Sequence, residues 1–311
     1  MKIIFFGTPD FALTTLQGLY EHKFQILAVV TAPDAFGGRG GKTLLQSPVK
    51  KYALETGIPV LQPPKLKSEQ FLKQLRELNA DIFIVVAFRM LPEAVWNMPS
   101  RGSYNLHASL LPRYRGAAPI NWAIMRGESV TGVTMFRLSH AIDTGDILLQ
   151  EASDIEPDDN FGTLYTKLKE LGCLTVIKGL HILESSNKIE LWQQKDVEAT
   201  HAPKIFHDTC EINFNQPSKQ VVDFIRGLSP YPGAWTKING VECKILQART
   251  SDNKSTPNTT PGTIKVVSNK KLLISATDDY ITVERLKMSG SREMLSGDFL
   301  SGYRNVPDNI G

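Results

Sequence analysis

Apolar side chains fall into two textures along this chain. Up to about residue 188, short unbroken apolar runs alternate with amphipathic ones. KIIFF at the start, QILAVVT (25–31), IPVL (58–61) and DIFIVVA (81–87) are rich in β-branched residues. Runs of this kind are buried on both faces of a parallel sheet. Between them, SPVKKYALET and KSEQFLKQLRELN have helical spacing. Strand and helix in alternation predict a doubly wound α/β layer with right-handed crossovers. After KIIFF, Gly7 turns the chain into a helix, with Thr8 expected as its cap, Pro9 as its first residue and Asp10 at the positive end of its dipole. YNLH, VTGVTMFRL (130–138) and DILLQE (146–151) are three further strands, and NFGTLYTKLKELGCLTVIKGLHILESS is a long amphipathic helix.

From about Asn213 the texture changes. AWTKI, CKILQA, GTIKVV, KLLISA and YITVERL are short segments separated by Gly, Asn and Pro clusters, the pattern of a small β-barrel or sandwich. SDNKSTPNTTPG is a polar loop within it.

Composition narrows the class. The 311 residues are 41% hydrophobic and 22% charged, an ordinary globular balance with room for two domains. No run reaches the roughly 18 apolar residues of a membrane span, and the N-terminus has no signal-peptide layout. A soluble, cytoplasmic protein without membrane contact is expected. Cys173, Cys210 and Cys243 form no CxxC, and no HxxxH or HxH recurs with carboxylates, so neither a disulfide framework nor a metal site is expected. The net charge of +3 comes entirely from residues 201–311, which carry 14 basic and 11 acidic side chains against 21 and 21 before them. More local is the run from Arg39 to Lys67, where Arg39, Lys42, Lys50, Lys51, Lys65 and Lys67 face only Glu55. A solvated surface and a contact region for a phosphate backbone both fit it.

Candidate chemistry concentrates in NLHASLLPRYRGAAP, Asn105 to Pro119. A helix cannot run through it, because Pro112 and Pro119 lack a backbone donor and restrict their predecessors. It is a strand end feeding a shaped loop. Asn105 and His107 are two apart on the strand, so they share a face while Leu106 packs the other way. They stand at the carboxyl edge of the sheet, where open α/β sheets bind ligands. IDTGDIL adds Asp143 and Asp146; an Asx turn accounts for at least one of these acids, and a carboxylate beside an imidazole orients it and favours its charged form. GGRGGKT is not a P-loop, since Phe36 stands where the motif requires glycine, and GTPDFA is not a dinucleotide fingerprint.

NLHASLLPRYRGAAPINWAI with IDTGDIL resembles the folate-dependent formyltransferases. The likeness runs nearly end to end, through FFGTPDFA, GRG at 38–40, SPVK, VVA before LP at 91–92, and IRGLSPYPGAW. The GRG loop and RGLSPYPGA point to the branch that acts on initiator methionyl-tRNA. The resemblance implies a Rossmann-like catalytic domain (1–188), a linker (189–205) and a C-terminal OB-like β-barrel that binds tRNA (206–311). It implies 10-formyltetrahydrofolate as cosubstrate, no metal, and a monomer. It gives Asn105, His107 and Asp143 the catalytic roles, with Asn105 and a cationic His107 as donors to the oxyanion. Ser109, Leu110, Leu111, Pro112, Val86, Phe88 and Leu91 line the folate site, and Arg39 and Lys42 contact tRNA. Phe88-Arg89 departs from the tyrosine and glycine of many relatives, and Gly40-Gly41 from their basic pairs. Arg113 and Arg115 are read equally as loop anchors and as tRNA contacts. The alternative acceptor is an amino-sugar nucleotide.

Overall fold

The computed structural model describes residues 1–37, 41–185, 189–254, 259–267 and 271–302. They form two compact units, one of residues 1–116, 132–153 and 165–201, the other of 117–131, 154–164 and the residues from 202 on.

In the first unit a seven-stranded sheet has the order Ile147–Asp154, Val130–Arg137, Ser103–His107, Ile82–Val86, Lys2–Gly7, Gln25–Val30 and Val60–Leu61. Pairings from Ser103–His107 to Val60–Leu61 are all parallel, and Val130–Arg137 joins antiparallel. The central strands are buried throughout except for Lys2 at the start of the first, as the unbroken apolar runs require. On one face Phe6 meets Phe83 at 5.1 Å between ring centroids, within a cluster that includes Val30, Phe71, Leu75, Val85, Leu91 and Val95. Helices Pro48–Glu55, Glu69–Leu78 and Phe161–Ser185 lie where the periodicity places them. Ser47 caps Pro48–Glu55 by accepting the Lys50 N–H at 3.0 Å.

The first helix corrects one expectation. It runs Asp10–Glu21 with Pro9 as its N-cap, so Thr8 stands one residue too early to cap it. The Thr8 hydroxyl instead accepts the Ala32 N–H at 3.3 Å, joining the ends of the first two strands.

The second unit contains the small antiparallel β domain that the short segments predict. Its sheet orders Ala234–Ile238, Val241–Lys254, Asp279–Met288, Lys271–Ser275 and Ile264–Val267, with Met294–Leu295 against Asp279–Met288. Val221, Ile225, Leu228, Ile245, Leu272, Ile281 and Phe299 are among the side chains that fill its core. Two segments from within the first 188 residues pack with this unit. Helix Pro119–Met125 lies against helix Ser218–Gly227, where the Asn121 amide donates to the Gly227 carbonyl at 2.8 Å. Gly227 has no room for a Cβ, which would meet the Asn121 carbonyl at 3.0 Å. Arg226 binds Asp223 at 2.8 Å and the Asp159 carbonyl at 2.9 Å, so the RGLSP stretch is a clamp within this unit.

Candidate active site

The strand Ser103–His107 runs parallel to Ile82–Val86, and its last residues reach the carboxyl edge of the sheet. Leu106 is buried against the long helix, where Gly172 leaves space for it: a Cβ there would lie 2.6 Å from a Leu106 methyl. Alternation therefore turns Asn105 and His107 together to the other face, cross-strand from Phe136 and Thr134. Asn105 is half-buried, and its amide has no hydrogen-bond partner among the described residues. It is a donor held ready at a strand end.

His107 is fixed by both ring nitrogens. Nε2 lies 2.8 Å from the Tyr114 carbonyl oxygen, and because a carbonyl only accepts, Nε2 carries a proton. Nδ1 then faces Asp143, whose Oδ2 is 3.7 Å away, an ion-pair separation rather than a hydrogen bond. The same Oδ2 accepts the Gly116 N–H at 2.9 Å. Side-chain exposure is 7% for His107 and 12% for Asp143, so water screens the pair little. Of the two acids in IDTGDIL, Asp143 is the one brought to the imidazole, while Asp146 is exposed.

The loop after His107 is held from behind by two polar side chains that the sequence did not single out. The buried Thr134 hydroxyl donates to the Ser109 carbonyl at 2.6 Å and accepts the Leu111 N–H at 3.1 Å. Gln150 Nε2 donates to the Leu111 carbonyl at 2.8 Å and to Thr134 Oγ1 at 2.9 Å. The only signal for either is a polar residue within a strand. Ser109 is fully buried with its hydroxyl on the Arg113 carbonyl at 2.6 Å, and Leu111 packs with Phe136 and Ile147. Leu110 and Pro112 keep part of their surface exposed.

Arg115 is buried as well. Its guanidinium grips Gln194 Oε1 at 3.0 and 2.8 Å and reaches Asp196 at 2.9 Å, which makes it an anchor of the loop. Arg113 is exposed, with its guanidinium 5.6 Å from the Tyr114 ring centroid. Gln194 gave no sequence signal, because WQQK has no pattern that separates it from a surface glutamine.

Val86 is buried in the sheet, and Leu91 lies in the cluster beneath it. Phe88 packs edge-on against Phe6 at 5.8 Å. Arg89 stacks 5.6 Å from the Phe88 ring centroid and donates to the Pro63 and Pro64 carbonyls. The departure at Phe88-Arg89 is thus built into local packing.

Arg39 lies outside the described residues. Beside it, Ala35–Gly37 and Thr43–Leu45 form a two-stranded hairpin, and Lys42 is exposed. Lys51, Lys65 and Lys67 are also exposed, whereas Lys50 is turned inward onto Asp34 at 2.5 Å. Gln62 Nε2 donates to the other Asp34 oxygen at 2.8 Å and to the Ala32 carbonyl. Lys50 and Gln62 together hold the Asp34 carboxyl below its ordinary range. The basic run therefore divides into an outward set and one lysine that fastens the hairpin's base.

Among the described residues no group of three or more His, Cys, Asp or Glu side chains could hold a metal ion, and no helix is long and apolar enough to cross a membrane. What the geometry assembles is an amide donor, an anchored imidazole and a carboxylate at one sheet edge, while the hydroxyl of the nearby Ser109 is turned onto the Arg113 carbonyl. That set suits stabilising an oxyanion and moving protons.

Comparison with known proteins identifies the family. A family model described as formyl transferase matches residues 1–179, and one described as its C-terminal domain matches residues 204–304. The chain is 44% identical to the methionyl-tRNA formyltransferase of Parabacteroides distasonis, over 99% of this chain and 97% of the relative. It is 45% identical to that of Bacteroides fragilis, over 97% and 95%. Among solved structures, the methionyl-tRNA formyltransferase of Clostridium thermocellum matches with a TM-score of 0.57 at 16% identity, covering 91% of this chain and 99% of that one. WlaRD, a sugar 3N-formyl transferase solved with dTDP and 5-N-formyl-THF, matches with a TM-score of 0.68 at 21% identity, covering 94% and 99%. HypX from Aquifex aeolicus, solved with tetrahydrofolic acid, matches at 18% identity with a TM-score of 0.65, over 96% of this chain and 47% of that one. The chain thus spans about half of HypX but nearly the whole of its sequence relatives.

Proposed function

The chain belongs to the formyl transferase family, and on that premise we propose that it moves a formyl group from 10-formyltetrahydrofolate to the α-amine of methionine carried on initiator tRNA. The observation that carries this reading is the His107–Asp143 pair, with Asn105 two residues along the same strand, in a chain related along nearly its full length to enzymes named for that reaction.

The amine nitrogen attacks the formyl carbon and forms the new C–N bond. The bond from that carbon to the folate nitrogen then breaks. The proton lost by the amine is balanced by one gained at the leaving nitrogen. No protein nucleophile is required. The Asn105 amide donates to the tetrahedral oxyanion, and one such donor contributes about 3 to 4 kcal/mol. Because Nε2 of His107 is committed to Tyr114, Nδ1 is the nitrogen that acts on the reacting centre, as a donor in the protonated ring. Asp143, on the Nδ1 side of the ring, accepts the amine's proton, directly or through water.

Leu110 and Pro112 face the folate, and Ser109 and Leu111 give the loop its shape from inside. Val86, Phe88 and Leu91 form the wall at the neighbouring strand end. Arg39 and Lys42 meet the tRNA backbone. The catalytic chemistry belongs to residues 1–188 and tRNA binding to 206–311, with 189–205 as the linker, of which 189–201 pack with the first unit and 202–205 with the second, in a cytoplasmic monomer without a metal.

The test is a comparison of acceptors with 10-formyltetrahydrofolate: charged initiator tRNA, free methionine and an amino-sugar nucleotide. Turnover with charged tRNA alone is expected. Comparable turnover of the sugar nucleotide would overturn the choice of acceptor.

A further inference from the structure

Gln194 lies outside the strand edge and loops that the sequence picks out, yet every hydrogen-bonding position of its amide is engaged around Asp143. Nε2 donates to the carbonyls of Asp143 at 2.9 Å and Gly145 at 2.8 Å. Oε1 accepts from Nε and Nη2 of Arg115. The partners decide which end of the amide is which, since a guanidinium only donates and a carbonyl only accepts.

The turn it holds is a constrained one. Asp143 has a φ of 55°, in the left-handed region that most side chains avoid. Two residues on, a Cβ at Gly145 would collide with the Arg137 carbonyl, so the turn is pressed against its neighbouring strand. The N–H that grips the Asp143 carboxylate belongs to Gly116, next to Arg115 in the chain. One buried amide therefore ties the backbone of Asp143 to the segment that binds its side chain.

We infer that Gln194 is the positioning residue of Asp143, keeping its carboxylate on His107; the inference rests on the catalytic reading of Asp143. No other uncharged side chain of this length donates twice and accepts twice. A glutamate would keep Arg115 but set a charge against two carbonyl oxygens. A methionine would keep the length and lose all four bonds.

The test takes Gln194→Glu and Gln194→Met, each alone and combined with Asp143→Ala, through steady-state and single-turnover formylation of methionyl-tRNA and through thermal unfolding. Each single variant is expected to lose kcat by about 10- to 100-fold, the scale of a small misplacement in an active site, with both KM values unchanged. In the Asp143→Ala background neither is expected to slow the reaction further. Wild-type kcat, a loss confined to KM, or the same factor lost again in the Asp143→Ala background would overturn the inference. A wild-type rate for Asp143→Ala alone would overturn the site reading beneath it, which separates the two failures. If Gln194→Met does not fold, Gln194→Glu, which keeps the Arg115 contact, makes the comparison.

Discussion

Nε2 of His107 lies 2.8 Å from the carbonyl oxygen of Tyr114, and this single bond decides which face of the imidazole is free to act. The sequence places a histidine at the sheet edge but does not say which nitrogen it presents. Tyr114 itself has a φ of 62° and its N–H is held by Thr200 Oγ1 at 2.8 Å, while the Arg115 N–H, in the same peptide as that carbonyl, donates to the Thr200 carbonyl at 2.9 Å, so the carbonyl is not free to swing away.

Side chains that mimic one nitrogen at a time test this. Asparagine places its amide nitrogen near the position of Nδ1, and glutamine near that of Nε2. His107→Asn is expected to turn over faster than His107→Gln, both slower than wild type by on the order of a hundredfold or more. The reverse order, read from kcat at saturating charged tRNA, would assign the reactive role to Nε2.

Thr134 serves the loop rather than the chemistry. Thr134→Val leaves the Ser109 carbonyl and the Leu111 N–H without their partner in a buried site. Unfolding in urea is expected to show a loss of about 1 to 3 kcal/mol, with a raised KM for the folate cosubstrate. Unchanged values of both would mean that the loop keeps its shape without that hydroxyl.

Asp34 gives a pH signature. Its carboxyl titrates below its ordinary value because Lys50 and Gln62 stabilise the charged form. Stability from a lowered carboxyl is present above the unfolded pKa, about 3.9, and is lost as pH falls through the folded value. Asp34→Asn is therefore expected to lower the melting temperature at neutral pH, and the difference from wild type to shrink progressively as pH falls below about 4 and the folded carboxyl takes up its proton. A difference that stays undiminished through that acid range would show that the contact is not held by charge.

Arg39 and Lys42 are expected to act through phosphate charge. Each alanine variant should weaken tRNA binding and reduce the slope of log K against log salt by roughly 0.7 to 0.9, with kcat little changed. Equilibrium binding over a salt series measures it, and an unaltered slope would remove the residue from the interface.

Much of the fold was legible because it rests on local pattern. Ile82–Val86 and residues 26–30 are unbroken apolar runs, and the alternation around Leu106 is enough to give Asn105 and His107 a shared face. Thr8 misled, because capping is decided by a one-residue offset that Pro9 took. Arg115 could not be assigned from sequence, since exposed and buried arginines look alike there. Gln194 was invisible for a deeper reason. Its partners Arg115, Asp143 and Gly145 lie 79, 51 and 49 positions away, and only the folded chain brings them within bonding distance.

The most direct measurement is the single-turnover rate of formyl transfer by Asp143→Asn, which keeps an oxygen for the Gly116 N–H and removes the charge facing His107. A fall of roughly a hundredfold or more, with the melting temperature of the wild-type protein, is the predicted result. A wild-type rate would contradict the account.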